Sequence, residues 1–514
     1  MSLPTVLLIN PRVCSRRSLR LPLSLLSLGA VLEGRCDYHL IDGNVDPDPV
    51  QTAQGLLAHA PRALIGVSVM PGPQVAPAIQ ISAALRAACP QVPIIWGGYF
   101  PTLYSEAAIN APYVDYVARG QGEETLLELL ERLPDAGPPH PPASACDSDA
   151  LRDIRGLTWK DGARIRHNPD RPFRSPDTLP PLPYERLGDV EPYLRPSFMG
   201  ARTGVHQAAL GCRYHCTFCG VVSMFNGHTR LQAPGRLTDA LRTLRDQYGA
   251  TAMQFYDNNF FDREETSVPM LEALATLEMP YWCYARADTL AKFAPSTWEL
   301  IRRSRLRMAY IGAEAASDSV LAGMKKGTRV EHTFEVARRC REYGVVPEFS
   351  FILGGPEDPE GETEKTLQFI KRIKAIHPEC EVVLYFYSPT PQRRPDAGLS
   401  ADGARLPILA TYGPTGLPLP TTPEEWTQPQ WVNYVCHQDA PWLSPRMRQR
   451  VQDFARVLAC RFPTAQDYRT PAWGKTLLRN LARWRYASAR YEHPWELELA
   501  QRFLRPRVPQ KESL

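Results

Sequence analysis

The sequence predicts an α/β protein: an open parallel sheet with helices on both faces, then a partial TIM-type (β/α)6 barrel, then a mainly helical C-terminal region. Three observations predict it. Short apolar runs alternate with helical stretches over residues 5–130. The alternation resumes over 205–391, with six strand–helix units. Between the two lies proline-rich sequence that cannot pack as helix or strand. At 514 residues the chain is too long for one core. The expected units are 1–133, a linker with a hairpin over 134–200, the barrel over 201–395 and the helical region over 396–514.

The elements follow in order. Thr5–Asn10 is an apolar run ended by Pro11, which suits a buried parallel strand. Leu23–Leu32 has helical periodicity, and Tyr38–Ile41 is a second strand stopped by Asp42-Gly43. Ala63–Ser68 is the third strand, followed by a helix over Val75–Ala88. Pro93–Trp96 ends in Gly97-Gly98, and Val114–Ala118 ends in Arg119-Gly120. Glu123–Leu133 closes this unit as a helix. Pro134–Ala145 is the linker, and Ile154–Trp159 with Ala163–Arg166 form a hairpin around Lys160-Asp161-Gly162. The barrel strands are expected at His206–Leu210, Ala252–Tyr256, Tyr281–Ala285, Met308–Ile311, Glu348–Ile352 and Val382–Tyr387. Arg236–Tyr248 and Glu331–Tyr343 are two of the intervening helices. In both architectures ligands bind beyond the carboxyl ends of the strands, so the loops there are the candidate sites.

Bulk properties exclude several classes. A net charge of +4 is too small to imply a nucleic-acid partner. No uninterrupted apolar run reaches the roughly 18 residues that span a bilayer. Leu19–Leu32, the richest stretch, is broken by Arg20, Pro22 and Ser24. Nothing at the N-terminus resembles a signal peptide, so a cytoplasmic location is expected. The helix Lys475–Arg490 is basic and carries Leu477, Leu481 and Trp484, a face expected to dock onto the barrel rather than touch a membrane. Trp426, Trp431, Tyr434 and Trp442 either line a hydrophobic pocket or form a core.

Nine of the 12 cysteines are scattered singly, which is no disulfide framework. Cys283, on a barrel strand, is read as a buried bystander. Cys212, Cys216 and Cys219 are different: C-x3-C-x2-C directly after a strand brings three thiolates to one loop. A structural zinc ion needs a fourth ligand, which His215 or His228 could supply. A ferredoxin-type cluster takes four cysteines, so three would leave one iron open for catalysis.

With Phe218 before the last cysteine, this motif resembles the hallmark of the radical S-adenosylmethionine (SAM) superfamily. The resemblance implies a 4Fe-4S cluster whose open iron binds SAM and reduces it to methionine and a 5'-deoxyadenosyl radical. An electron donor such as flavodoxin or ferredoxin is implied as well. Later strand ends match in order. Asp257 and Asn258 stand where the superfamily often has a Gly-Gly-Glu segment holding the SAM amino group; an Asx-capped turn is the other reading. Arg286 could pair with the SAM carboxylate or form an ion pair within the barrel. Gly312–Ser317 resembles the ribose-binding segment, with Glu314 accepting from the ribose hydroxyls and Ser317 closing it; a helix-start glutamate is the alternative. Gly354 and Gly355 would back the adenine, or make a plain tight turn, and Tyr387 would flank it or sit in the core.

The N-terminal unit resembles the Rossmann-like cobalamin-binding domain of a radical SAM subfamily, through Trp96–Thr102 and Asp115–Glu124. Gly97, Gly98, Gly120 and Gly122 would line a corrin edge, and Ser68 and Thr102 would donate to its amides. The D-x-H-x-x-G motif that supplies a cobalt-binding histidine is absent; Asn10-Pro-Arg-Val-Cys-Ser-Arg16 stands near its place. The implied activity is cobalamin-dependent methylation of an unactivated carbon or a phosphorus centre in a small molecule or natural product. A cyclase or rearrangement enzyme without methyl transfer, and a non-catalytic cobalamin- or zinc-binding regulator, are the competing readings.

Overall fold

The computed structural model describes residues 4–15, 18–133, 148–225, 227–388, 392–393, 408–409, 419–438, 442–467 and 470–504. The expected linker, Cys146 and the loop 389–391 after the sixth barrel strand lie outside them.

The first sheet holds β1 (Thr5–Asn10), β2 (Asp37–Asp42), β3 (Ala63–Ser68), β4 (Ile94–Gly97) and β5 (Tyr116–Ala118), parallel, in the order β2-β1-β3-β4-β5. The unbroken apolar run of β1 is explained by burial on both faces. Leu7 and Ile9 enter one core with Ile65 and Val67; Val6 and Leu8 enter the opposite one with Leu25 and Leu32. The hairpin, β6 (Leu157–Asp161) and β7 (Arg164–His167), does not belong to a linker. It pairs antiparallel with β5 and completes a seven-stranded sheet, because Leu157 and Trp159 bury beside Tyr116 and Ala118.

The second unit begins three residues earlier than the apolar pattern suggests. β8 (Thr203–His206) is the first sheet strand; the chain then leaves the sheet, and β9 (Ala209–Gly211) pairs instead with β10 (Thr229–Leu231) across the cysteine loop. Gly211 allows the exit, with φ +78 and a backbone close to Phe225. β11 (Ala252–Phe255), β12 (Tyr281–Arg286), β13 (Leu306–Glu314), β14 (Val346–Leu353) and β15 (Glu381–Phe386) follow in chain order, all parallel. β8 and β15 do not pair, so the barrel is open.

The C-terminal region divides its loyalties. Residues 419–438 cross to the first unit: Trp426 packs 4.1 Å from the Tyr104 ring, and Tyr113 donates to Glu424 at 2.7 Å. Trp426 and Tyr434 are therefore core, with Trp431 against them. Trp442 packs on Tyr387 and donates to the Gly354 carbonyl. The helices Pro445–Arg461, Ala472–Ser488 and Trp495–Leu504 extend the barrel core. The docking face of Ala472–Ser488 is not the expected one. Gly474, Leu478, Ala482 and Arg485 turn inward and Leu481 is half-buried, while Leu477 and Trp484 are 43% and 51% exposed. Small residues at 474 and 482 let the helices approach closely, and that contact sets the rotation.

Candidate active site

The cysteine loop hangs between β9 and the helix Val221–Phe225. Cys216 is buried and Cys212 and Cys219 are half-buried. Burial pushes the Cys219 thiol up to about 12, and the neighbouring Cys216 and Cys212 push it the same way. Burial likewise raises Cys212. Such thiols ionise when a cation is there to take their charge. Among the described residues no three His, Cys, Asp or Glu side chains close on a single ion. The two histidines weighed for zinc are engaged elsewhere: His215 packs over Gly227, and His228 stacks on Phe173.

Below the loop lies a shelf of buried charge. Arg286, at the end of β12, donates to Asp288 at 3.0 Å and to the Cys216 sulfur at 3.6 Å. Its guanidinium lies 3.4 Å from the centre of the Tyr214 ring. Glu314 ends β13 in the left-handed region, φ +62, and accepts from Lys326 at 2.5 Å. Burial works against the Lys326 charge, but Glu314 and Cys216 together hold the ammonium above its ordinary pKa. A side chain on Gly312 would overlap both partners. Phe218 stands on the same shelf, its ring centre 5.6 Å from the Lys326 nitrogen. Ser317 stands at the N-cap position of the next helix, where its hydroxyl shares a 2.7 Å hydrogen bond with Ser319 rather than capping a backbone N–H.

Asp257 and Asn258 turn back toward the loop's own backbone. Asp257 accepts from the Ala209 N–H at 2.6 Å and Asn258 from the Gly211 N–H at 3.0 Å, which sets the exit of the cysteine loop from β9. The second Asp257 oxygen is buried with no partner, and burial pushes this carboxyl up to about 8. Gly354 has φ +74, and a Cβ there would meet Leu443 at 2.6 Å; packing by the C-terminal region explains this glycine, while Gly355 stays half-buried.

Above the loop a cavity of about 1520 Å³ separates the two sheets. That exceeds the roughly 300–1,000 Å³ of common small-ligand pockets. Ser68, Gly97, Gly98, Gly120 and Gly122 line one wall; Tyr256, Asp257, Asn258 and Cys219 line the other. Gly98 (φ +98) and Gly120 (φ +70) both need glycine. Thr102 does not reach the cavity wall. Its hydroxyl donates to the Gly98 carbonyl at 2.7 Å and accepts the Gly120 N–H at 3.0 Å, tying the two glycine loops together. Two buried orphans border the space, the Asp257 oxygen and His206 Nδ1. A large, amide-bearing ligand fits such a cavity: room on this scale, backbone that approaches closely, and polar atoms awaiting partners.

Sequence reasoning missed three residues. Lys326 lies 12 residues beyond its partner Glu314, in an unremarkable Lys-Lys pair. Tyr214, inside the cysteine motif, lies under two guanidiniums, those of Arg213 and Arg286. Tyr99 follows the Gly97-Gly98 turn; its hydroxyl accepts the Gly220 N–H, and a side chain on Gly220 would overlap it. Burial and the nearby Cys219 both raise the Tyr99 pKa. The signal available for Tyr99 was its place directly after a strand-ending glycine pair.

Comparison with known proteins agrees with this geometry. Residues 208–370 match the Radical SAM superfamily and residues 14–130 match the B12 binding domain. An uncharacterised methyltransferase of Pyrococcus horikoshii is 23% identical over 68% of this chain and 73% of its own length. Cytidylyl-2-hydroxyethylphosphonate methyltransferase of Streptomyces wedmorensis is 23% identical over 51% of this chain and 52% of its own. The radical SAM methyltransferase TsrM from Kitasatospora setae, solved with cobalamin and a 4Fe-4S cluster, superposes with TM-score 0.60 at 17% identity, covering 94% of this chain and 99% of that one. The cobalamin-dependent radical SAM enzyme OxsB, solved with aqua-cobalamin and SAM, gives TM-score 0.61 at 20% identity, covering 74% and 53%. A cysteine loop between a glycine-walled cavity and a shelf of buried charge, with both domain matches in register, places this chain in the family of radical SAM enzymes that carry a B12-binding domain.

Proposed function

We propose that this chain is a cobalamin-dependent radical SAM methyltransferase that methylates an unactivated carbon or a phosphorus centre of a small molecule. One observation carries the reading: a single cavity has the glycine-bearing edge of the first sheet on one side and the barrel strand ends with Cys219 on the other. A corrin held there would stand beside a cluster held by the cysteine loop.

When bound, a 4Fe-4S cluster and SAM would supply a 5'-deoxyadenosyl radical, and cobalamin would supply the methyl group. The chain's own residues do the rest. Cys212, Cys216 and Cys219 would hold the cluster, with Arg286 balancing charge beside Cys216. Glu314 has carboxylate capacity left beyond Lys326 and would receive the ribose hydroxyls. Phe218, Ser317 and Gly355 would border SAM. Asp257 and Asn258 fix the loop from behind rather than reach for the SAM amino group. Gly97, Gly98, Gly120 and Gly122 would admit the corrin edge, and Ser68, whose hydroxyl meets Ser24 at 3.2 Å, would bond its amides. Asn10 and Cys14 line the cavity where the missing histidine motif would stand, so that segment offers cobalt no imidazole. The electron would come from a flavodoxin or ferredoxin in the cytoplasm.

Named relatives support methyl transfer, three of them being methyltransferases by name. Others are named anaerobic magnesium-protoporphyrin IX monomethyl ester cyclase, which keeps the cyclase reading in view. Product analysis of the reconstituted enzyme decides between them. S-adenosylhomocysteine together with 5'-deoxyadenosine is expected. 5'-Deoxyadenosine alone would replace methylation with the cyclase reading.

A further inference from the structure

Seven large apolar side chains are strongly exposed among the described residues, and six of them sit on the last two helices. Trp473, Leu477 and Trp484 project from Ala472–Ser488, and Trp495, Leu499 and Phe503 from Trp495–Leu504. At about 100° per residue, each trio falls on one narrow face of its helix. The helices run antiparallel: Gly474 lies against Leu504 at one end, and Arg485 pairs with Glu496 at 3.0 Å at the other. The exposed trios therefore run side by side. Phe503 is 82% exposed and Trp495 69%, far beyond ordinary scatter for such residues.

Among the described residues, the charges near this face that no ion pair engages have one sign. The helix Ala472–Ser488 contains no acidic residue. The acidic residues nearby are paired with arginines: Glu492 with Arg450, Glu496 with Arg485 and Glu498 with Arg456. Arg479, Arg483, Arg490 and Arg502 are exposed, and no ion pair engages them among the described residues. Tryptophan and phenylalanine on one side with unneutralised arginine around them is the composition of a helix lying in a lipid interface. The expectation that this face docks on the barrel rested on Leu477 and Trp484 pointing inward, and both point outward. No described helix is long and apolar enough to cross a membrane, so any contact is peripheral.

We propose that these two helices form a peripheral docking surface for an anionic phospholipid bilayer, the rings entering the headgroup region and the arginines meeting lipid phosphates. A second copy of the chain suits the face less well, because two such surfaces would bring arginine against arginine.

The test is co-sedimentation of the full chain with phosphatidylglycerol-containing vesicles and with pure phosphatidylcholine vesicles. Wild type is expected to pellet with the anionic vesicles and to be released by high salt. Neutralisation by Arg483→Gln and by Arg502→Gln should weaken binding by about fivefold for each site. The triple variant W473A, W484A and W495A should stay in the supernatant. All these residues are solvent-facing, and unchanged circular dichroism would confirm that the variants fold. Equal pelleting of the triple variant, no pelleting of wild type, or a wild-type dimer that the triple variant renders monomeric would each overturn the proposal. Vesicle binding needs no cofactor turnover, so it stands or falls apart from the methyltransferase reading.

Discussion

The two walls of the central cavity are made of different materials. On the N-terminal side the strand ends present Ser68, Gly97, Gly98, Gly120 and Gly122, which is backbone and one hydroxyl. On the barrel side Tyr256, Asp257, Asn258 and Cys219 form the wall, and behind it, below the cysteine loop, the strand ends bury Arg286, Glu314 and, beyond the next helix, Lys326. A wall of glycine holds a ligand by shape and by peptide groups, and single substitutions there act through sterics. A wall of buried charge holds by electrostatics, and each member depends on its partner being present. The contrast predicts where each side breaks and how hard.

The largest effect is expected from Cys216→Ala. Iron and sulfide content should fall and SAM cleavage should drop to background, read as 5'-deoxyadenosine by chromatography. Cobalamin affinity, measured by absorbance titration, should fall far less, by about fivefold, because the cluster side reaches the glycine wall only through the Tyr99–Gly220 contact. Parallel loss of both would mean that the walls are not separate.

Glu314→Ala comes next. It strands a buried ammonium, which costs about 3–5 kcal/mol, measurable by urea unfolding. Glu314→Gln, which keeps an acceptor for Lys326, should be milder in stability yet still impair SAM binding. A neutral Glu314→Ala would show that the pair is more hydrated than its burial implies.

The smallest effect per step of the measurement is a pH dependence. The Asp257 carboxyl is raised to about 8 in the folded protein, against about 3.9 in an unfolded chain. Between those values the folded state keeps a proton that the unfolded state has lost. Stability of wild type relative to Asp257→Asn should therefore fall as pH rises from about 4 to 8, by at most ~1.4 kcal/mol per pH unit, and level off above. A pH-independent difference in unfolding midpoint would place a charge partner at the second oxygen.

The architecture was legible because β1–β5 and the barrel strands are parallel and buried. Runs such as Val6–Ile9 and Phe349–Leu353 face packing on two sides, and an apolar run is what that demands. Cys212, Cys216 and Cys219 were legible because spacing within one loop is a sequence property. The first barrel strand was misplaced because Ala208, Ala209 and Leu210 are as apolar as Val205, yet only the latter joins the sheet; the switch belongs to Gly211 and the β10 partner. Lys326 and Tyr99 were invisible because their partners come from another turn and another domain. The outward turn of Leu477 and Trp484 escaped for a related reason. A helix buries the face that fits, and Gly474 with Ala482 fits more closely than two large side chains.

Tyr99 carries a last consequence. Its backbone belongs to the loop that edges the cavity, and its hydroxyl receives the Gly220 N–H beside the third cysteine. Met224, on the helix that follows, presses its carbonyl toward Gly120 at the neighbouring strand end. The seam between the domains is thus also the seam between two cofactor pockets. Ordering one side of such a seam lowers the entropy left to lose on the other, and linkage requires the benefit to be mutual and equal. Whichever cofactor arrives first prepares the ground for its neighbour, so the history of loading leaves no trace in the finished holoenzyme.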